Sequence, residues 1–375
     1  MTSSFDLTII GGGLVGASLA VALSDHAFNI ALVDASPLPL PKDHRLIALT
    51  KNSADFFSDI GVWAELKNDA CAIQRVHVSQ YKKFGFTELA ASDIHLSELG
   101  FVVPAEKINQ TLYQKLKNTN NITLLQPESV QQITHQQQTI ALNFASGKKI
   151  ETTLLIAADG THSTLRELLN IPVETIDYQQ RALVTVTHLQ RDHQHIAYER
   201  FHKTGALALL PLTDHRAATI WTDSEKNIEL LMNLSDQLFL KKLQNQMGYR
   251  AGRLLNIENR YTYPLKLIRI KPEHQIQNRV MLIGNAAHTI HPIAAQGLNI
   301  ALNEIAFLKK HFEKISEMNL PEKLPEQKNI LLSHQLTQIF ATDFLPFNVA
   351  KQVGMTALDL LGMVKRKFMH RMIES

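Results

Sequence analysis

Three glycines near the start of the chain have the spacing of a nucleotide-binding turn. Residues 11–16 read GGGLVG, so Gly11, Gly13 and Gly16 form a G-x-G-x-x-G pattern. Glycine permits a tight turn and a close approach of the backbone to a pyrophosphate, which the N-terminus of a following helix attracts. Asp34 stands at the end of the next apolar run, where its carboxylate suits the hydroxyl pair of a ribose. The pattern predicts a bound dinucleotide, and the alternative is a glycine turn without a ligand.

A second segment with candidate binding residues lies at 157–166 and reads AADGTHSTLR. Its candidate residues are Asp159, Gly160, Ser163 and Arg166. Taken alone, the segment predicts a strand that ends in an Asp-Gly turn, with the serine near the start of a helix.

Residues 284–299 form a third segment, GNAAHTIHPIAAQGLN. A helix that begins at 297–299 would direct backbone N–H groups towards a negative ligand. Pro292 and the small residues before the helix would let the backbone approach a flat ring. The alternative is an ordinary proline-bounded helix start, in which His288 and His291 have structural roles.

A single arginine is the candidate in the fourth segment, which follows the second predicted strand. Residues 43–49 read DHRLIAL, and Arg45 is the basic residue that we expect on the ligand side of the site. The alternative is a charge on a surface loop.

The three later segments resemble fingerprints of the group A flavoprotein aromatic hydroxylases, and they are widely separated in the sequence. In that family the second segment has the form ADGxxSxxR, the third GDAAHxxxPxxGQGxN and the fourth D-x-R-x-x-A-L. The order and spacing of the motifs extend the resemblance over about residues 5–310. The resemblance implies FAD as the cofactor, with binding residues Gly11, Gly13, Gly16, Asp34, Arg45, Asp159, Gly160, Ser163, Arg166, Gly284, Asn285, Pro292, Gly297, Leu298 and Asn299.

Two positions depart from the third fingerprint. Asn285 stands where most members have aspartate, and Ala295 replaces a glycine. An asparagine still donates and accepts hydrogen bonds near the ribityl hydroxyls, although a charge is lost. The form GNAA is familiar in the ubiquinone-biosynthesis branch of the family, so Asn285 points towards that branch.

The family resemblance also implies a reaction. NAD(P)H would reduce FAD, oxygen would give a flavin hydroperoxide, and one hydroxyl group would pass to the ring of a polyprenylated methoxyphenol in ubiquinone biosynthesis. Candidate catalytic residues are Arg45, His288 and Pro292, and no general base is assigned. A hydroperoxide must be shielded from water, so we expect an apolar lid from the mid-chain sheet, with Leu207, Leu209 and Leu210 as candidate lining residues. Core packing is the alternative role, and the one favoured for each leucine taken singly.

Composition excludes several other classes of protein. The chain has 375 residues and a formal net charge of +3, which is too balanced to indicate a nucleic-acid partner. Its single cysteine, Cys71, forms no internal disulfide, indicates a reducing compartment and is expected in the core. The 17 histidines are not spaced as metal ligands, and no metal is expected.

The apolar periodicities predict an α/β fold with a Rossmann-like FAD-binding domain, an antiparallel β-sheet substrate domain and C-terminal helices. Strands are predicted at 5–10, 28–34, 153–158 and 279–284, a helix at 14–25, and alternating runs at 182–188, 196–201 and 205–222. We expect the FAD domain at 1–72, 100–170 and 276–330, the substrate domain at 73–99 and 171–275, and a helical region at 331–375.

The uncharged stretch 7–24 lacks the basic flank of a signal peptide or membrane anchor and is read as a buried strand, turn and helix.

The tail at 343–373 combines an apolar helical pattern with Lys365, Arg366, Lys367 and Arg371. It predicts either a helix docked on the protein's own core or a peripheral membrane contact. We expect a cytoplasmic protein, with the membrane's inner face as the alternative location.

Three different functions stay open beside this one. They are a sister hydroxylase acting at another ring position, an FAD-dependent reductase of prenyl chains, and a flavin-binding assembly subunit without catalysis. The resemblance further implies a multi-enzyme ubiquinone-biosynthesis complex as a partner.

Overall fold

The computed structural model describes residues 3–38, 41–83, 85–289, 296–317, 320–321, 323–325, 365–367 and 369. Within these residues the strands are β1 Ser3–Ile10, β2 Ile30–Val33, β3 Leu46–Thr50, β4 Cys71–Ile73, β5 Arg75–Gln80, β6 Phe86–Ala90, β7 Gly100–Pro104, β8 Ile122–Leu125, β9 Val130–His135, β10 Ile140–Phe144, β11 Lys149–Ala157, β12 Val173–Leu189, β13 Ile196–His202, β14 Gly205–Leu212, β15 Arg216–Ser224, β16 Leu254–Ile257, β17 Tyr261–Ile270, β18 Ile276–Gln277, β19 Val280–Leu282 and β20 His288–Thr289. The α-helices are α1 Leu14–Ala22, α2 Lys51–Asp59, α3 Trp63–Leu66, α4 Ala105–Lys117, α5 Thr164–Leu168, α6 Glu225–Met232, α7 Asp236–Met247, α8 Gly297–Lys310 and α9 Phe312–Ser316.

The first sheet is mainly parallel and carries the glycine turn at one end. Its strand order is β18-β19-β11-β1-β2-β8, and β10 and β9 extend it as an antiparallel pair beside β11. The last four residues of β1 and all of β2 are buried, as continuous apolar runs predict for a sheet that is covered on both faces. β1, α1 and β2 therefore form a βαβ unit, with the glycine turn at the carboxyl end of β1.

The second sheet has the strand order β20-β17-β12-β15-β14-β13-β5-β6, with β16 beside β12. All its pairs are antiparallel except β13 with β5, which run parallel. Residues of α6 and α7 cover one face, where they pack against side chains such as Leu183 and Trp221. The opposite face, which we call the open face, presents Val186, Leu210 and Ile220 among other residues.

A third, smaller sheet with the order β3-β7-β4 lies between the two larger ones. Its alternate residues point in opposite directions, as in any strand. Leu49 and Val103 join the core of the first sheet, whereas Leu46 and Val102 pack on the open face of the second. Through this sheet, the fold places the open face beside the nucleotide-binding half of the molecule.

The predicted fold class is confirmed, and the differences lie mainly at the boundaries of elements. The helix predicted at 14–25 ends at Ala22, and the strand predicted at 28–34 spans Ile30–Val33. The run 205–222 is divided into β14 and β15 because Asp214 and His215 adopt positive φ in a tight turn. β20, within the predicted FAD domain, pairs with the second sheet. The domain boundaries themselves stay a prediction.

Two of the three candidate lining leucines have the alternative role, packing in a core. Leu207 and Leu209 are 0% and 1% exposed and belong to the cluster beneath α6 and α7. Leu210 lies on the open face, and its role in lining the site stays a prediction. A strand's alternation separates residues into two sets, but the sequence does not reveal which set faces the cofactor.

Several predictions fall on residues outside the described ranges. Pro292, His291 and Ala295 are among them, and so is most of the tail at 343–373. The described part of the tail docks on the protein, because Met369 is buried against Leu89 and Ile94. Within the described residues, no helix is both long and apolar enough to span a membrane.

Candidate functional site

The glycine turn is built around contacts that a side chain would prevent. α1 begins at Leu14 with Gly13 as its N-cap, and Gly11 has a φ of +106°. A Cβ atom on Gly16 would lie 1.8 Å from the carbonyl oxygen of Gly11, so α1 packs directly on the turn. A Cβ atom on Gly13 would meet no atom of the described residues within 4 Å. The space in front of Gly13 and the start of α1 is therefore open to a ligand.

Asp34 stands beside this turn at the end of β2. Its Oδ2 accepts a hydrogen bond from the N–H of Gly12 at 2.6 Å, and its Oδ1 accepts one from the N–H of Ser36 at 2.7 Å. These bonds fix the orientation of the carboxylate. Each carboxylate oxygen accepts more than one bond, so both still suit the hydroxyls of a ribose.

A tyrosine that sequence reasoning missed holds the glycine turn in place through a hydrogen bond to its backbone. The hydroxyl of Tyr113 in α4 donates to the carbonyl of Gly12 at 2.9 Å, and Gln126 Nε2 donates to that hydroxyl at 2.6 Å. Burial raises the pKa of Tyr113 to about 12, so the hydroxyl stays a donor. A Cβ atom on Gly12 would lie 2.2 Å from the same hydroxyl oxygen, which explains the middle glycine of the three.

The second segment forms an Asp-Gly turn and the start of α5. Ser163 caps the helix by accepting from the N–H of Arg166 at 3.0 Å, and Asp159 Oδ2 accepts from the N–H of Leu165 at 3.1 Å. Burial raises the pKa of Asp159 above its usual value. Gly160 has a φ of +82°, and a Cβ atom there would lie more than 4 Å from every part of the chain that the structure describes. A second open position therefore lies next to the glycine turn, since Ala158 contacts Gly11.

Arg166 joins the second segment to the third. Its buried guanidinium donates to the carbonyl oxygen of Ala286 at 3.0 Å and to that of Thr161 at 2.7 Å. Thr289 adds a second link, because its hydroxyl donates to Thr161 Oγ1 at 3.0 Å. The structure thus gives Arg166 a positioning role, while direct contact with FAD stays a prediction.

Arg166→Lys is expected to lower the free energy of unfolding by about 1.5–3 kcal/mol, because a single ammonium group cannot reach both carbonyl oxygens as the guanidinium does. Chemical denaturation of the purified variant measures this change. Arg279→Lys, in the turn before β19, is the matched control and should cost less than about 0.5 kcal/mol. Equal stability of wild type and Arg166→Lys would contradict the positioning role.

A buried carboxylate, also missed by sequence reasoning, holds the third segment in place. Glu304 in α8 is 1% exposed, and its Oε2 accepts from the N–H of Gly284 at 2.9 Å. Its Oε1 accepts from Gln275 Nε2 at 3.0 Å and lies 3.0 Å from His288 Nε2. His288 is buried in this network, which favours a positioning role over direct catalysis. Asn285 is partly buried in the turn that the network supports.

The start of α8 connects the third segment to the fourth. The side chain of Asn299 accepts from the N–H of Thr50 at 3.0 Å and donates to the carbonyl oxygen of Ala48 at 2.9 Å. The Asn299 amide therefore ties α8 to β3. The backbone N–H groups at Gly297 and Leu298 lie at the helix start, as predicted, and their contact with FAD stays a prediction.

Arg45, immediately before β3, makes a bidentate ion pair with Asp43. Its Nη2 lies 2.6 Å from Asp43 Oδ2, and its side chain is 50% exposed. Burial opposes ionisation of Asp43, but the hydrogen bonds and charge of Arg45 hold the pKa of that carboxyl below its usual value. The neighbouring His44 stacks on Tyr261 of β17, with ring centroids 4.9 Å apart. Residues 43–45, which we call the Arg45 loop, therefore contact the second sheet and lead directly into β3, which is bonded to the start of α8.

One cluster with metal-ligand chemistry was hidden by sequence separation. The potential ligand atoms of Cys71, His193 and His195 all lie within 4.8 Å of one another. Both ring nitrogens of His193 already have partners, since Nε2 lies 2.6 Å from the carbonyl oxygen of Leu212 and Nδ1 accepts from the N–H of His195. Burial raises the pKa of the Cys71 thiol to about 11. Cys71 is buried, as predicted, and the cluster has the hydrogen bonding of a packed core.

The four segments together fit FAD. Gly13 and Gly160 leave room where a Cβ atom would otherwise stand, Asp34 presents a carboxylate beside the first, and two helices begin nearby. The links from Ala158 to Gly11, from Arg166 to Ala286 and from Asn299 to β3 bring the segments together as the resemblance implied.

Comparisons with known proteins identify the family of this chain. A family model described as an FAD binding domain matches residues 4–317. The chain is 26% identical over 381 residues to the ubiquinone hydroxylase UbiL of Rhodospirillum rubrum, covering 97% of this chain and 88% of that protein. It is 25% identical over 385 residues to the 3-demethoxyubiquinol 3-hydroxylase of Escherichia coli K12, covering 96% of each.

Among solved structures, p-nitrophenol 4-monooxygenase from Pseudomonas putida DLL-E4 has the same fold, with a TM-score of 0.81 at 12% identity and coverage of 100% of this chain and 99% of that one. The family match extends over most of the sequence and includes every described segment of the site. The chain therefore belongs to the family of FAD-binding-domain proteins, and it is an FAD-dependent monooxygenase with NAD(P)H as its co-substrate.

Proposed function

We propose that this enzyme hydroxylates the aromatic ring of a polyprenylated methoxyphenol in ubiquinone biosynthesis. The names of the similar proteins support the pathway, because two of them act on ubiquinone or its precursors. The observation that carries the proposal is the position of the open face, an apolar surface that stands beside the Arg45 loop and the start of α8. Reduced FAD at this place would supply the activation of oxygen.

The chain's own residues would then bind and shield an aromatic ring. Val184, Val186, Ala208, Leu210 and Ile220 are all partly buried and lie on the open face, opposite the helix-covered one. Partly covered apolar side chains favour a ring and a prenyl chain over a charged substrate. They also exclude water from the reacting atoms.

For the ring position, we propose that the enzyme acts as a 2-polyprenyl-6-methoxyphenol hydroxylase, because Asn285 gives the GNAA form of the third segment. A sister hydroxylase acting at another ring carbon shares the same four segments. A prenyl reductase and a non-catalytic flavin subunit are the competing functions. Each of them predicts a different result when a prenylated phenol is supplied as the substrate.

The deciding experiment starts from the absorption spectrum of the purified protein and then follows NAD(P)H oxidation with a short-chain prenylated methoxyphenol under isotopically labelled oxygen. Hydroxylation predicts bound flavin, substrate-stimulated oxidation and one labelled oxygen atom in the ring. A reductase would give an unlabelled product with a saturated chain, and a non-catalytic subunit would give no product. Nuclear magnetic resonance of the product then identifies the ring carbon.

We also propose a peripheral membrane contact at the inner face of the membrane, since a polyprenyl chain partitions into the bilayer. In the described tail, Lys365 Nζ lies 2.8 Å from Asp93 Oδ2, while Arg366 and Lys367 are exposed. The docked tail would thus present its basic side to anionic lipid. In flotation with anionic liposomes, deletion of residues 343–375 should reduce binding, and unchanged binding by a folded deletion variant would refute the tail's role.

A further inference from the structure

Glu199 in β13 is a carboxylate on the open face of the second sheet. It pairs in register with Val78 of β5 and Ala208 of β14, and residues in register share one face. Ala197, two residues earlier, packs with Val102 of the small sheet. Because side chains alternate along a strand, Glu199 points to the same side as Ala197.

The open face gives this carboxylate apolar neighbours. The same-face positions on the two flanking strands are Val76, Val78, Gln80, Ala206, Ala208 and Leu210, and none of them titrates or carries a charge. The strands of the small sheet that packs on this face contribute one titratable side chain, Cys71, whose Sγ lies 3.8 Å from His195 Nδ1. Charged and titratable neighbours within β13 and β5, such as Arg200 and His77, alternate to the helix-covered side.

No hydrogen bond or ion pair joins Glu199 to another residue within the part of the chain that the structure describes. Burial acts on the carboxyl group, and the residue as a whole is partly buried. Burial raises the pKa of Glu199 to about 7. Buried carboxylates are ordinarily hydrogen-bonded or ion-paired. An unpaired carboxylate next to a proposed substrate site is therefore a candidate functional group, because its oxygens can accept a bond from the substrate.

Glu199 and the segments proposed to bind FAD lie on the same side of the second sheet. Leu46 of β3 packs on the open face, and the far end of the same strand is bonded to Asn299 at the start of α8. At the far edge of this face, Tyr261 stacks on His44 of the Arg45 loop. A ring held on the open face would therefore lie between the second sheet and the cofactor side, with Glu199 among its wall residues.

We propose that Glu199 is the general base that accepts the proton of the substrate's phenolic hydroxyl. This inference rests on the proposed function. In the step, the phenol O–H bond breaks, an O–H bond forms on a carboxylate oxygen of Glu199, and the electron pair stays on the phenolate oxygen and spreads into the ring. The ring becomes more electron-rich at the carbon that receives the hydroxyl group. After product release, solvent takes the proton from the carboxyl group.

The basicity of Glu199 suits this transfer better than that of an exposed glutamate. A phenol has a pKa of about 10, so a carboxylate whose pKa burial has raised towards neutrality is a better-matched acceptor. The carboxylate form is present above its pKa and is lost as the pH falls through about 7. Hydroxylation should therefore decline about tenfold per pH unit on the acid side of that value, as expected for one essential base.

The test compares Glu199→Gln and Glu199→Asp with Glu229→Gln, a control that removes an exposed carboxylate from α6 on the other side of the sheet. The probe is a short-chain prenylated methoxyphenol. Its dissociation constant from the FAD-loaded, oxidised enzyme without reductant, measured on both sides of pH 7, reports the hydrogen bond from the phenol O–H to the Glu199 carboxylate, so this readout does not depend on turnover. Circular dichroism and flavin content verify that each variant is folded and loaded.

We expect wild type and Glu229→Gln to bind the probe more weakly as the pH falls through about 7, because the protonated carboxyl group no longer accepts the charge-assisted hydrogen bond of the phenol, and Glu199→Gln to bind it equally on both sides of that pH. Hydroxylation by Glu199→Gln should fall about 100-fold or more and lose the limb near pH 7, and Glu199→Asp should recover part of both. If Glu199→Gln keeps the wild-type pH dependence of probe binding and of hydroxylation, Glu199 is not the base although the proposed function stands. If wild type hydroxylates no phenol, the proposed function fails and this inference fails with it.

Discussion

Replacing Gly13 by alanine is expected to leave the protein folded and to raise the dissociation constant of FAD by about 100-fold or more, which corresponds to about 2.7 kcal/mol. The reason is that the added Cβ atom meets no atom of the described residues within 4 Å, and that Gly13 has a φ of −70°, which alanine adopts without strain. With the described residues out of reach, the new methyl group would meet the ligand, whose pyrophosphate needs that space at the helix start. Titration of the apoprotein with FAD, followed by flavin fluorescence, measures the effect.

Two control variants separate binding from folding. Gly13 is an N-cap, and alanine there costs about 1 kcal/mol of stability at most, so Ser235→Ala at the N-cap of α7 is the matched control for capping alone. Gly16→Ala should instead fail to fold, because its Cβ atom would stand 1.8 Å from the carbonyl oxygen of Gly11. If Gly13→Ala binds FAD as tightly as wild type, the pyrophosphate does not lie at this turn and the site has been placed wrongly.

The same glycines show which part of the site can be predicted from the sequence alone. The spacing of Gly11, Gly13 and Gly16 predicted the βαβ unit because the pattern is local, with a strand, a turn and a helix within about twenty residues. The resemblance predicted which other segments gather around it. Their meeting depends on tertiary contacts such as that of Arg166 with Ala286, which are 120 residues apart.

What sequence reasoning missed shares one physical cause. Tyr113 and Glu304 act through bonds to backbone atoms of distant turns, at separations of 101 and 20 residues, and no local pattern marks such a bond. Glu199 was also missed, since it stands in an alternating run whose period is clear but whose orientation is not. The same ambiguity left open whether Leu207 and Leu209 line the site or pack in the core, and they pack beneath α6 and α7. Periodicity gives the spacing of a strand's side chains, and packing decides which side receives the cofactor.

Glu304→Ala is expected to lower the free energy of unfolding by about 3–5 kcal/mol, because it removes one buried acceptor that serves several partners at once. The N–H of Gly284, the amide of Gln275 and the ring of His288 would all lose their bond to this carboxylate, while its place in α8 would be left partly empty. Urea denaturation of the apoprotein measures the loss without the contribution of bound FAD.

Glu304→Gln separates the carboxylate's charge and acceptor capacity from its shape. An amide has the same size but one acceptor oxygen fewer, so it can serve the N–H of Gly284 or the group at Oε1, and its stability should fall between wild type and Glu304→Ala. Because Gly284 begins the third segment, FAD affinity should decline in the same order as stability. An apoprotein that loses less than about 1 kcal/mol in Glu304→Ala would show that the network is not what holds this segment, and that the start of α8 and the links through Arg166 suffice to position it.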